Sequence, residues 1–373
     1  MIVALSFING FQDIIADKIF GFWGHIRVMH YEPVRATMAE ELPILGTDSL
    51  KKLIDENPNI ERASRYATRS AILNASGTIE GILLKGVDST YPFEKLDRFL
   101  IKGKWPTEKD DSTRGSVVIS EYTARQLNVD VGNPLLIYFI QNDGTLPRIR
   151  KLIISGIYRT GIDVYDKVYA LGNIEMIQKM NGWKKEEIGG YEIDLKNPEK
   201  MDEIAGQIFT ILPAGWNAQT LRELSPEIFD WLGLQNTNKY ILLTLMTIVA
   251  IINLITCLII LLIERTPMIA LLKSLGARDH LIQKVFIIYG SWISILGILL
   301  GSILGVVICL LQKYTAFIRL NEEVYYVNAA PVSLEMSQVF LIAGATFLVS
   351  TLMLLIPSVI SRKVNPARAL LFK

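Results

Sequence analysis

Cysteine is almost absent. Cys257 and Cys309 are the two in 373 residues, and both sit inside apolar runs, so neither a disulfide framework nor a thiolate metal site is readable. Histidine is as scarce. His25 and His30 are five apart without an acidic helper at metal spacing, and His280 stands alone, which offers no metal site. Charge is thin, at 20% of residues against about 25% in an ordinary soluble domain. It is also balanced: 38 Lys and Arg against 37 Asp and Glu exclude a nucleic-acid binder working by bulk positive charge and an acidic disordered chain. No Gly-x-x-x-x-Gly-Lys-Ser/Thr phosphate loop occurs, so the chain is not expected to hydrolyse ATP by itself. Ser120 lies between a strand pattern and a helix pattern but lacks the flanking glycines of a nucleophile elbow, and reads as a helix cap. No catalytic residue emerges, and a non-enzymatic role is expected.

What the chain has instead is long apolar runs. Tyr240–Ile263, Val285–Leu311 and Val339–Ile360 contain no charged residue, and about 20 such residues suffice to cross roughly 30 Å of hydrocarbon. Each predicts a transmembrane helix. Lys and Arg set the orientation. The connection after the first run carries Arg265, Lys273, Arg278 and Lys284, and the tail carries Arg362, Lys363, Arg368 and Lys373, so both are expected to be cytoplasmic. The large N-terminal region, where the acidic excess falls, is then extracytoplasmic. Met1–Ile8 is apolar but too short to span. It reads as the end of a first span whose beginning precedes it, with a short apolar strand as the other reading.

The expected architecture is a multi-domain membrane protein: an α-helical transmembrane bundle of three full spans plus the end of a first, with a large α+β extracytoplasmic domain. The boundaries are 1–9 for the end of the first helix, 10–238 for the domain, and 239–263, 285–311 and 339–360 for the spans. The segment 264–284 is a cytoplasmic helix, 312–338 an outer loop and 361–373 a cytoplasmic tail. Inside the domain, Asp48 is expected to cap a helix Ser49–Glu56 closed by Pro58. Strands are expected at Thr78–Leu84, Ser116–Ile119, Leu135–Ile140 and Leu152–Ile157, the last two joined by a turn at Asn142, Asp143 and Gly144. Glu121–Leu127 reads as a short helix. Ser225 and Pro226 open another, running toward the first full span.

The connection Glu264-Arg265-Thr-Pro267-Met-Ile-Ala-Leu-Leu-Lys273-Ser-Leu275-Gly276-Ala277-Arg278 is expected to continue the span, turn at Pro267, form a short amphipathic helix and stop at Gly276. It resembles the coupling helix of ABC-transporter permeases in the FtsX, MacB and Lol group, although Met268 stands where that group often has an acid. The tail Ile356-Pro357-Ser358 through Asn365-Pro366-Ala367-Arg368-Ala369-Leu370 is similar to the group's C-terminus. Ser6-Phe-Ile-Asn9-Gly10-Phe11, Asn253-Leu-Ile-Thr256 and Val117-Val118-Ile119-Ser120 with Ala124, Leu127 and Val131-Gly132 look like the lipoprotein-releasing permeases of the LolC and LolE type. The resemblance extends over nearly the whole chain.

That resemblance implies a permease in the bacterial inner membrane with its large domain in the periplasm. It would pair with a second permease, as homodimer or heterodimer, and a cytoplasmic ABC ATPase. The complex would pass lipoproteins to a periplasmic carrier. No cofactor is expected on this chain; ATP and Mg are expected on the ATPase. Other members imply other roles, a MacB-like exporter with a separate ATPase or an FtsX-like regulator of a cell-wall hydrolase. The residues expected at the ATPase are Glu264, Arg265, Leu271, Leu272, Lys273, Leu275, Gly276 and Arg278. Gly297, Gly301 and Gly305, at steps of four, make a face for close helix packing, and Asn253, in mid-span, should seek a polar partner. Pro147, Arg148 and Arg150 occupy the place where some members carry a hook that grips the carrier.

Overall fold

A computed structural model describes residues 1–31, 42–47, 51–52, 54, 56–75, 77–88, 91–106, 115–140, 146–320 and 327–354, the side chains of 258, 261, 262, 279 and 286 excepted. The expected cap at Asp48, the turn at 142–144 and the whole tail lie outside the described residues. The chain divides into two compact units, one of residues 15–229 and 322–326, the other of 1–14, 230–321 and 327–373.

The first unit is built on a ten-stranded sheet of order β12-β1-β11-β3-β4-β9-β6-β8-β5, with β7 bridging β3 and β8. The strands are β1 Ile26–His30, β3 Ile60–Ala75, β4 Thr78–Val87, β5 Leu100–Gly103, β6 Ser116–Ser120, β7 Pro134–Phe139, β8 Arg148–Tyr158, β9 Tyr169–Asn173, β11 Gly190–Leu195 and β12 Trp216–Thr220. A separate pair joins β2 Ile44–Leu45 to β10 Glu187–Ile188. β3 dominates, pairing with β4 from Tyr66↔Val87 to Ala75↔Thr78 and with β11 on its other side. Its period-two pattern buries Ala63, Ala67, Ala71, Leu73 and Ala75 toward one face, whose core also takes Ile193, Ile119 and Leu152. Small alanines on this central strand let α5 Ile174–Asn181 lie close to it, while α3 Glu121–Leu127 packs on β4, β6 and β8 and α6 Met201–Ile211 on β12. Ser120 caps α3, its hydroxyl accepting from Thr123 N at 3.0 Å. Short helices α2 Phe93–Leu96, α4 Asp163–Asp166 and α7 Leu221–Leu224 complete the unit.

The other sheet face meets the end of α1, Ile2–Trp23. This helix continues past residue 9, the expected end of the first span, through Asp13, Asp17 and Lys18, whose polarity hides its later turns from a search for apolar runs. Gly24 stops it at φ +67°, with its N–H donated to Phe20 O at 2.8 Å. A Cβ on Gly24 would lie 3.1 Å from Ile193 O.

In the second unit α8 Pro226–Ser274, α9 Asp279–Thr315 and α10 Met336–Met353 are, among the described residues, the three helices long and apolar enough to cross a membrane. α8 is 49 residues, about 73 Å at 1.5 Å per residue, far beyond a hydrocarbon thickness of about 30 Å. It also corrects the expected turn at Pro267, which lies inside unbroken helix. Proline removes one backbone bond, and the good helix formers around it, Ile269 to Lys273, carry the helix on. The helix ends in a Schellman pattern, Ala277 N to Leu272 O and Gly276 N to Lys273 O at 3.0 Å each, with Gly276 at φ +88°.

Candidate functional site

The last turns of α8 present a one-sided surface. Met268, Leu271 and Leu275 are 52%, 54% and 77% exposed, and Leu272 is half-buried beside them. Positions 268, 271, 272 and 275 recur at helical spacing and so share a face. Ile269 and Ala270 are buried, turned into the chain's own structure. Glu264, Arg265 and Arg278 are exposed around the stripe, Lys273 is half-buried, and Gly276 closes the helix. The sequence-derived anchors are therefore unequal: Leu271 and Leu275 are free to meet a partner, Leu272 is partly committed, and Met268 joins them. A stripe of this kind with a polar rim suits docking in an apolar groove.

The glycine face is divided. A Cβ on Gly305 would meet Ile2 Cβ at 3.4 Å, whereas at Gly297 and Gly301 no neighbour among the described residues lies within 4 Å. Close packing within the chain falls instead on Gly10, where a Cβ would lie 2.6 Å from Ser333 N and 2.9 Å from Pro331 O, and on Gly290 against Leu354. Asn9, next to Gly10, donates to Gln338 Oε1 at 2.8 Å and accepts from Lys239 Nζ at 3.4 Å, so α1, α8 and α10 meet at one side chain. Asn253 is exposed and makes no side-chain hydrogen bond among the described residues, while Thr256 bonds back to Ile252 O at 2.9 Å. At the hairpin, Pro147, Arg148 and Arg150 are exposed, and Arg148 donates to Met180 O at 2.9 Å. His25 is held by Leu195 N at 3.1 Å, and burial lowers its pKa. Among the described residues no group of three His, Cys, Asp or Glu is placed to hold a metal ion.

One cluster has no signal in the sequence. Lys85 on β4 and Glu192 on β11, fully and almost fully buried, meet at 2.8 Å. Their strands are not neighbours in the sheet, so no local pattern pairs them. The ammonium also donates to Phe22 O at 2.6 Å and to Tyr91 Oη at 3.0 Å, and lies 4.1 Å from the centre of the Trp23 ring, over which Arg27 sits at 4.0 Å. Burial pushes Lys85 down to about 8 and Glu192 up to about 7, in each case against the pull of the partner's charge. Glu192 thus favours folding at low pH, a contribution lost as pH rises from about 4.5 to about 7. Lys85 favours folding above about 10.5, a contribution lost as pH falls toward about 8. In the double variant Lys85→Met/Glu192→Leu both terms vanish. Its thermal midpoint minus that of the wild type should peak between pH 7 and 8 and shrink on either side. A difference that stays flat from pH 5 to 10 would contradict this assignment.

The family model for the MacB-like periplasmic core domain matches residues 1–210, more than half the chain, and that for the FtsX-like permease C-terminal region matches residues 240–366. The chain belongs to this permease family. It is 25% identical over 394 residues to the lipoprotein-releasing system transmembrane protein LolC of Neisseria meningitidis serogroup B, covering 100% of this chain and 91% of that one. It is 25% identical over 386 residues to the LolE protein of Haemophilus influenzae, covering 99% and 90%. Solved structures similar to it include the extracellular domain of the noncanonic ABC-type transporter YknZ from Gram-positive bacteria, with 12% identity over 52% of this chain and 98% of that chain and a TM-score of 0.36. The periplasmic region of MacB from Actinobacillus actinomycetemcomitans gives 14% identity over 54% and 91%, with a TM-score of 0.38. As an FtsX/MacB-type ABC permease, the chain is a membrane protein with a periplasmic-type α+β domain. The exposed stripe on α8 falls in the FtsX-like region, and the hairpin and the buried Lys85 cluster fall in the MacB-like core.

Proposed function

We propose that this chain is the permease subunit of an ATP-driven transporter that releases lipoproteins from the bacterial inner membrane and passes them to a periplasmic carrier. The observation that carries the reading is the exposed stripe Met268, Leu271, Leu272 and Leu275 at the end of α8, in a chain similar along its whole length to relatives named for lipoprotein release. A protein without a phosphate loop needs an external motor. An ATPase groove that takes the stripe moves α8 as a rigid rod, and ATP and Mg belong to that partner. Leu271 and Leu275 supply the buried contact, while Arg265, Lys273 and Arg278 orient it.

The membrane part of the reading is a bundle of the beginning of α1, residues 1–9, with α8, α9 and α10, spanning an inner membrane with residues 10–238 on the periplasmic side. Gly297 and Gly301, open among the described residues, then serve contact with a second permease. Withdrawing an acyl anchor costs about 0.8 kcal/mol per methylene, work on the scale of ATP, and two permeases enclose the apolar space that receives it. Pro147, Arg148 and Arg150 are the residues through which the hairpin meets the carrier.

Purification in mild detergent separates this reading from its relatives. An ABC ATPase, a second permease and lipoproteins should come through with the chain. Recovery of an outer-membrane channel protein, or of a cell-wall hydrolase with no lipoprotein, would contradict it.

A further inference from the structure

The end of α1 is fastened to the sheet in two different ways. Aromatic packing surrounds it: Phe22 stacks on Tyr165 with centroids 4.9 Å apart, and Trp23 meets Tyr169 edge-on at 5.1 Å. Such contacts bury much area and favour offset or edge-on geometry, but they fix no single atom of the backbone. A cavity of about 490 Å³, lined by Trp23, Arg27, Thr68, Leu83, Tyr165 and Tyr169 among others, lies alongside, so packing does not close this end of the helix on every side. The second fastening is directional. Lys85 Nζ holds the Phe22 carbonyl at 2.6 Å from inside the sheet, where helix C-terminal carbonyls carry partial negative charge, and Tyr91 Oη donates to the same carbonyl at 3.2 Å. Glu192 fixes the ammonium at 2.8 Å.

This arrangement is costly. A buried ion pair seldom repays its desolvation, and hydrophobic replacements of similar volume are often as stable or more so. Stability alone therefore does not account for Lys85, whereas fixing one position of a helix end does. α1 is one continuous helix from Ile2, so whatever displaces its beginning is delivered to its end.

We propose that Lys85 is a positioning residue for transport: with Glu192 and Tyr91 it clasps the Phe22 carbonyl, so that movement of α1 becomes movement of the sheet and is not lost as slip between them. This rests on the reading above that the chain moves under an ATPase. Beyond Gly24 the chain is tied to the sheet directly, His25 N donating to Ile193 O at 2.9 Å and β1 pairing with β11 and β12, so the clasp acts on the last turn of α1 before that pivot. Arg98 reaches Asp17 O at 2.8 Å from an exposed side chain.

Lys85→Met alone strands the Glu192 carboxylate in the core, so the informative protein is the full chain carrying Lys85→Met/Glu192→Leu, assembled with its ATPase and second permease in liposomes. Lys102→Met, which removes one member of the exposed Lys102–Asp130 pair at 2.8 Å, is the control. The double variant should melt no lower than wild type, and its ATP hydrolysis rate should stay within twofold of wild type. Lipoprotein released per ATP should fall at least fivefold, and amide exchange over Phe20–His25 should quicken at least tenfold while β6 is unchanged. Lys102→Met should alter none of these. A double variant that releases as much lipoprotein per ATP as wild type overturns the proposal, as does release that falls only in step with hydrolysis. A wild-type complex that hydrolyses ATP but releases no lipoprotein contradicts the functional reading instead. Exchange then decides the proposal: unaltered protection over Phe20–His25 in the double variant overturns it.

Discussion

Leu271→Asp should abolish co-purification of the ATPase and release of lipoprotein, with membrane insertion and the fold of both units retained. Leu271 is 54% exposed at the centre of the stripe between Met268 and Leu275, so a carboxylate there is solvated in the free chain and harms nothing until a partner covers it. In the docked state it is desolvated without a partner charge, a loss of several kcal/mol where 1.4 kcal/mol already costs tenfold in affinity. Leu272→Asp is less clean, because Leu272 is half-buried in its own chain and the substitution also strains the fold. Lys273→Ala should weaken association only a few-fold, since exposed charge pairs contribute about 0–1 kcal/mol. Equal losses from Leu271→Asp and Lys273→Ala would mean that the segment is a solvated surface.

Gly10→Ala should be the most damaging small substitution in the spanning unit. The added methyl would sit 2.6 Å from Ser333 N and 2.9 Å from Pro331 C and O, all backbone atoms that cannot rotate away. Ser333 N also donates to Ser6 O at 3.0 Å, one turn back on α1, so pushing the loop outward breaks that bond and pulls Asn9 off Gln338 and Lys239. Overpacking of this kind costs about 1–3 kcal/mol. A fall of several degrees in the thermal midpoint in detergent is expected. Gly301→Ala, with no neighbour within 4 Å among the described residues, should change the isolated subunit by no more than about 0.5 kcal/mol. Equal shifts for the two would place the tight contact elsewhere.

These two cases also mark what was legible before the structure. The three apolar helices stand out because their signal is local: the absence of charge over a stretch longer than a bilayer needs no knowledge of neighbours. The cap at Ser120 and the strand before it are read the same way, from residues within a few positions of each other. The later turns of α1 carry exposed Asp13 and Asp17 and half-buried Lys18, so no apolar run marks the helix beyond residue 9. Pro267 misled for the opposite reason, being a strong local breaker overruled by the helix around it. Gly10 could be quoted as part of a motif, but its loop at Pro331–Ser333 is more than three hundred residues away. Lys85 and Glu192 were beyond reach. Each is a single charge in a strand, and only the sheet order β11-β3-β4 brings them together.

The central claim is that the chain converts ATP hydrolysis by a partner into release of lipoproteins. Its most direct test is reconstitution of the chain with its ATPase and second permease in liposomes loaded with a lipoprotein, with soluble carrier outside, and measurement of lipoprotein in the carrier fraction. ATP with Mg should transfer lipoprotein into that fraction in proportion to ATP hydrolysed, and neither ADP in place of ATP nor the Leu271→Asp chain in place of the wild type should give any transfer. Steady ATP hydrolysis with all lipoprotein retained in the membrane would contradict the account.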